Sequence, residues 1–431
     1  MKMKKQYLLL LLIVVACKQS PTVNFPSPTH PNVQEKTSLA ITREEYYDKV
    51  LGMLVGSAIG DAMGAPTEMW DRKRIEIQKG YIDSLDAVTR EASPEGPWET
   101  NLPAGSSTDD TRWKYLGTQF LMTQTADTLN ASDFANHIIH TYENEIDKFR
   151  KEEPSYKSIE KTYSHLSWLI EWVQVAKPFV EMDLVKYNDQ LSRFYGGEMS
   201  CAGMLYSPLI GAYYPGMPMK GYQQAFGLSI FDIGYARDIT ALTAAYVSKA
   251  MELDVKYSDI TLITRDIDPQ HYFKSRLIGR LAYQAFETAN AISHESYLLN
   301  EKDIPINLQL PKNFKHGALY YIQQKKAYSL LETHLQDIPF HAGEIHLINL
   351  TALAFSKGDF MKAMEFVINF GRDNDTVAAV TGSILGAYWG YKQLPKQMAL
   401  QIVTTHKTTI GIDLEEMARK LVDHRFGDTP H

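Results

Sequence analysis

Glycine recurs every four residues at Gly52, Gly56, Gly60 and Gly64, and a second series, Gly382, Gly386 and Gly390, repeats the interval near the other end of the chain. Residues four apart lie along one stripe of a helix, where the lack of a side chain lets another backbone come close. Glycine inside a helix costs about 1 kcal/mol relative to alanine, so two such stripes predict a tightly packed helix pair. After Ile41, long segments place apolar residues at helical spacing, and no region alternates as a sheet would. The expectation is an all-α domain spanning 43–431. Helices are expected at Tyr115–Gln124, Ala131–Arg150, Ser158–Val175 and Ile239–Met251. A Gly-rich irregular stretch is expected at Tyr195–Pro218, and a connection with Pro305 and Pro311 at Ser293–Asn313.

The first seventeen residues have the texture of an export signal. Lys2, Lys4 and Lys5 precede an apolar run from Tyr7 to Ala16, which is shorter than the roughly 20 residues a membrane span requires. Val14-Val15-Ala16-Cys17 resembles a bacterial lipobox, so 1–17 reads as a lipoprotein signal peptide whose Cys17 carries the lipid. A plain secretory signal cleaved nearby is the alternative. Residues 18–42 are polar, with Pro21, Pro26, Pro28 and Pro31, and read as a flexible tether. The expected location is the cell envelope, the lipid holding the protein to a membrane on its periplasmic or outer-membrane face. A net charge of −7 without a long basic run argues against nucleic acid as a partner. Two cysteines, Cys17 and Cys201, leave no disulfide framework and no Cys-based zinc site.

Three segments concentrate oxygen donors: Asp61 with Glu68, Ser107-Thr108-Asp109-Asp110-Thr111, and Asp373-Asn374-Asp375-Thr376. Neighbouring carboxylates repel, so a cluster of them is stabilised by a cation, a proton or cationic side chains. Hard divalent ions such as Mg²⁺ select these oxygens. Each segment alone could equally cap a helix. An EF-hand reading of Asp373-Asn374-Asp375 fails, because position six is Ala378 and position twelve is not Glu.

Taken together, Gly52-Met-Leu-Val-Gly56-Ser-Ala-Ile-Gly60-Asp61-Ala-Met-Gly64-Ala-Pro66-Thr-Glu68, Ser107–Thr111 and Gly371-Arg-Asp373-Asn-Asp375-Thr376 resemble, in order, the signatures of the ADP-ribosylglycohydrolase family. The resemblance covers nearly the whole domain. It implies a compact orthogonal helical bundle around two Mg²⁺ ions, for which Mn²⁺ may substitute. The implied metal ligands are Thr108, Asp109 and Asp110 from one end of the chain and Asp373, Asp375 and Thr376 from the other. Glu68, Asp110 and Asp375 are the implied catalytic residues, Glu68 activating or positioning water. The substrate would be ADP-ribosylated or nucleoside-type.

Arg372 and Asn374 depart from the family pattern, which commonly has Gly and Thr there. Arg372 could grip a diphosphate or carboxylate, or pair with an aspartate. Ser229-Ile-Phe231-Asp232 lacks a histidine often found at its place. Glu198 and Ser200, in the loop Gly196–Gly203, are candidate substrate contacts with Arg372, while Cys201 reads as a small packed residue. Tyr213, Tyr214 and Tyr235 could stack a nucleobase, although such aromatics are more often core. His341, Glu344 and His346 lack the spacing of a helical zinc site and read as a satisfied helix-surface cluster. The functional expectation is hydrolysis of a ribosyl glycosidic bond, ADP-ribose on a protein side chain or small acceptor. The alternatives are a hydrolase of another nucleoside or glycosyl compound and a non-catalytic ligand-binding surface lipoprotein.

Overall fold

The computed structural model describes residues 41–89, 101–151 and 156–427. The expected export signal with Cys17 and nearly all of the expected tether lie outside the described residues. Among the described residues no helix is long and apolar enough to cross a membrane.

The described chain is all-α apart from one two-residue antiparallel ladder and two isolated bridges, Val88 with Leu102 and Ser200 with His341. Its first helix, Arg43–Gly64, opens with a capping box in which Thr42 Oγ1 accepts from Glu45 N and Glu45 Oε2 accepts from Thr42 N. From Val50 to Gly64 every residue of this helix is buried, so it runs through the middle of the protein. Its partner is the equally buried helix Asn374–Trp389.

The two glycine stripes face each other in antiparallel register. A Cβ on Gly56 would stand 2.4 Å from Gly382 O, one on Gly382 2.1 Å from Gly56 O, and one on Gly386 2.0 Å from Gly52 O. Real Cβ atoms do not approach a carbonyl this closely, so only glycine permits the contact. Gly390 lies just beyond the second helix, where it caps the C-terminus at φ +77°. The same register carries Gly64 to Asp375, with a Cβ on Gly64 falling 2.4 Å from Asp375 Cα. Packing of the central pair thus brings the first turn of the second helix to the end of the first. Gly382→Ala is expected to destabilise the protein by about 2 kcal/mol, the collision outweighing the better helix propensity. Thermal unfolding would check this, and a variant as stable as its parent would deny the contact.

Outer helices surround the pair. Asp109–Met122, Ala131–Lys151, Tyr156–Val180 and Ala236–Ala250 occupy the places expected for them, with bounds moved by a few residues. Asp109–Met122 begins six residues earlier than expected because its first turn is the acidic segment itself. Its Trp113 packs on Trp172 with ring centroids 4.0 Å apart, holding the helix from the outside.

Two stretches are more ordered than expected. Within Tyr195–Pro218 lie a 3₁₀ turn, Ala202–Leu205, and a helix, Ser207–Tyr213. Pro208 sits in that helix's first turn, where its missing N–H is harmless, and Gly211 lets the helix press on Ala244 O. Tertiary contact here overrides weak local propensity. Similarly, the helix Leu281–Tyr297 runs into the supposed connection, and the remainder holds a 3₁₀ turn, Glu301–Asp303.

Candidate active site

The acidic segments meet at the end of the central helix pair. The ladder sets Trp70 opposite Arg372 and Asp71 opposite Gly371, so Glu68 just before one strand and Asp373 just after the other are drawn together. Thr108 Oγ1 donates to Asp375 Oδ2 at 3.2 Å, linking positions 267 residues apart. One cavity is lined by Glu68, Asp109, Asp373, Asp375 and Thr376 and, on its other wall, by Tyr195, Ser200, Cys201 and Phe340. A larger open groove elsewhere, bordered by Tyr115, His137, Lys148 and Glu416, contains none of the expected ligands.

Helix capping does not account for these residues. Thr108 and Asp373 occupy N-cap positions, yet neither side chain makes a capping hydrogen bond. The helix start is satisfied from another element instead. Asp61 Oδ1 accepts from Thr108 N at 2.8 Å, and Asp61 Oδ2 accepts from Thr111 N at 3.1 Å and Thr111 Oγ1 at 2.8 Å. The neighbouring Ser107 shares a 2.7 Å hydrogen bond with the buried His406 ring. Asp61 therefore fixes the segment from below and leaves the Thr108 hydroxyl to point at Asp375.

The electrostatics are those of crowded, dry carboxylates. Burial and then the Asp375 charge push Asp61 up to about 6, against hydrogen bonds from Thr111 and Thr108 that favour its charged form. Burial raises Asp110 well above the ordinary carboxylate range, with Asp61, Asp109 and Asp375 adding to the effect and Lys114 opposing it. Lys114 is itself 1% exposed, and its Nζ donates to Asp110 O at 3.0 Å, Asp110 Oδ1 at 3.3 Å and Leu205 O at 3.1 Å.

Among the described residues, Asp110 Oδ2 and Asp375 Oδ1 are buried carboxylate oxygens with no hydrogen-bond partner. A buried acceptor left unmatched is costly and calls for an explanation. Among the described residues no three His, Cys, Asp or Glu side chains stand as a ready-made coordination set. The donors fit a divalent cation in kind, being oxygens of the hard type with orphaned lone pairs inside the cluster.

The remaining sequence candidates are distributed unevenly. Ser200 is buried on the cavity wall, whereas Glu198 is exposed and not among the lining residues. Arg372 pairs with Glu344, not with an aspartate of the cluster: Nε to Oε1 is 2.7 Å and Nη2 to Oε2 is 2.9 Å. Cys201 is packed in the core at 7% exposure, as expected, and its thiol also lines the cavity 3.9 Å from Asp373 Oδ2. His341, Glu344 and His346 are buried at 7%, 2% and 0% exposure, which corrects their placement on a helix surface. Tyr213 and Tyr214 bond elsewhere, to His424 and Asp127 O, and Tyr235 is not on the cavity wall. Asp232, in the segment without the histidine, accepts from Gly203 N at 2.9 Å and so holds the loop after Cys201.

Lys114 could have been noticed in the sequence, one helical turn after Asp110. Tyr195 and Phe340 carried no such signal, because both lie in irregular segments.

A sequence model of the ADP-ribosylglycohydrolase family matches residues 42–430. Among curated proteins, the uncharacterized protein YegU of Escherichia coli strain K12 is 50% identical over 36 residues, 8% of this chain and 11% of that protein. The match thus spans about a tenth of that relative. A solved structure described as an ADP-ribosylglycohydrolase-related protein complex has a similar fold, with a TM-score of 0.52 at 16% identity over 89% of this chain and 99% of that one.

Proposed function

The chain belongs to the ADP-ribosylglycohydrolase family of glycosidic-bond hydrolases, and from that premise we propose that it cleaves a ribosyl bond with divalent cations, its substrate being ADP-ribose on a protein side chain or small acceptor. The observation that carries this reading is the joining of the two acidic segments through Thr108 and Asp375, with orphaned oxygens on Asp110 and Asp375 beside it. Thr108, Asp109, Asp110, Asp373, Asp375 and Thr376 would hold two Mg²⁺ ions, or Mn²⁺ in their place.

Breaking a ribosyl C1 bond builds positive charge on the ring and needs an oriented water and a stabilised leaving group. When bound, the cations supply charge for the vicinal ribose hydroxyls and an acidified water. Glu68, on the cavity wall, takes the proton as the water attacks. Lys114 ties down Oδ1 of Asp110, leaving Oδ2 as the oxygen offered to a ligand. Tyr195 and Phe340, 6.0 Å apart between ring centroids, form the apolar wall that excludes bulk water and receives a flat group. The export signal would place this reaction in the cell envelope, with the lipid on Cys17 as anchor.

Turnover of ADP-ribosyl-arginine, ADP-ribosyl-serine and simple nucleosides, measured before and after thorough chelation, tests the proposal. Activity should vanish with the chelator and return with Mg²⁺ or Mn²⁺. Undiminished hydrolysis in chelator would remove the metals from the mechanism, and ligand binding without any turnover would reduce the protein to a binding module.

A further inference from the structure

The backbone at Arg372 is left-handed, with φ +66°, a conformation that glycine adopts readily and an arginine does not. The side chain is fully committed. Its guanidinium makes the two-pronged contact with Glu344 and a third hydrogen bond from Nη2 to Gln336 O at 2.7 Å. Glu344 Oε2 accepts in turn from Gln336 N at 2.6 Å. Arginine and glutamate thus hold both backbone groups of Gln336, a residue outside any helix or strand.

Gln336 begins the irregular run to Phe340, whose ring lines the cavity. At its far end the run is pinned to the loop around Cys201, Cys201 N donating to Phe340 O at 3.0 Å and Ala342 N to Met199 O at 2.8 Å. Arg372 itself precedes Asp373 and pairs with Trp70 in the ladder beside Glu68, where Met69 N donates to Arg372 O at 2.8 Å. One side chain therefore connects the acidic floor of the cavity to its aromatic wall.

We propose that Arg372, through Glu344, is a positioning residue that fixes the Phe340 wall over the acidic cluster and thereby sets how tightly the site holds its substrate. This rests on the hydrolase reading for its kinetic consequence, but not for its structural one. The guanidinium does not touch the reacting atoms, so its loss should weaken binding of ground state and transition state alike.

The test uses Arg372→Gly, which suits the backbone, and Arg372→Gly/Glu344→Gln, which also avoids leaving a buried charge unpaired. Hydrogen exchange on the full chain should show faster exchange at 336–342 in both variants, with the central helix pair protected as before. Arg372→Lys should not restore protection, because an ammonium lacks the planar fork. With ADP-ribosyl-arginine as probe, KM should rise about tenfold with kcat within about twofold of the parent. Unchanged exchange at 336–342, or a fall in kcat with KM unmoved, would overturn the proposal. If no form of the chain turned the probe over, the hydrolase reading would fail while the exchange data still judged the role of Arg372.

Discussion

Asp375→Asn is expected to abolish tight binding of divalent cations and to lower hydrolysis by about 10²–10³-fold, the scale seen when one preorganised electrostatic group is lost, while the protein stays folded. Asp375 Oδ2 accepts from Thr108 Oγ1, and Oδ1 is buried without a partner among the described residues. Asparagine has the same shape and can keep the Thr108 hydrogen bond through its carbonyl oxygen, which turns its NH₂ toward the place of the orphaned oxygen. Two donor hydrogens then stand where a lone pair was offered to a cation. The fold should not suffer, because the Asp375 charge is one of those raising Asp61 and Asp110, and its removal relieves repulsion in the metal-free site. Calorimetric titration with Mg²⁺, steady-state rates and thermal unfolding in chelator give the three readouts. Undiminished Mg²⁺ affinity would deny Asp375 its role as a ligand, and collapse of the fold would make it a structural residue.

That outcome turns on features the sequence displayed to different degrees. The glycine stripes were legible because their interval matches the helical repeat, and the close contact of Gly56 with Gly382 follows from their lack of side chains. The acidic segments were legible as donors by residue type. Their assembly was not, since each could have been an ordinary cap; at the Asp109 helix the capping is done by Asp61 from another helix. Arg372 illustrates the limit more sharply. Its residue type announced a carboxylate partner, but Glu344, 28 positions away, is reached only through the tertiary fold. The aromatic wall was the least legible part. Tyr195 and Phe340 belong to stretches without periodicity, and the aromatics that stood out, Tyr213 and Tyr214, are packed elsewhere in the core.

Lys114→Met should lower the stability of the metal-free protein by about 3–5 kcal/mol, the range for breaking one partner out of a buried ion pair. For a chain this long that corresponds to a fall in Tm of about 5 °C. All three ammonium hydrogens are used, on Asp110 O, Asp110 Oδ1 and Leu205 O, at a side chain 1% exposed. Methionine fills similar space without the charge, so the two carbonyls and the carboxylate lose their donor and Asp110 loses the cation that opposes its upward shift. The sign with pH follows from that shift. Because Asp110 titrates higher folded than unfolded, the folded chain holds the extra proton between the ordinary and the raised value, and stability falls as pH rises through that window. Without Lys114 the folded value rises further and the window lengthens. The gap between variant and parent should therefore widen as pH rises from the ordinary carboxylate range into the raised one. Saturating Mg²⁺ should narrow it by restoring positive charge beside Asp110. Adding Asp375→Asn to the variant should also recover part of the loss, because the two changes act on one charge cluster and are not additive. Equal melting of variant and parent in chelator across the whole pH series would mean that the ammonium does not stabilise the empty site.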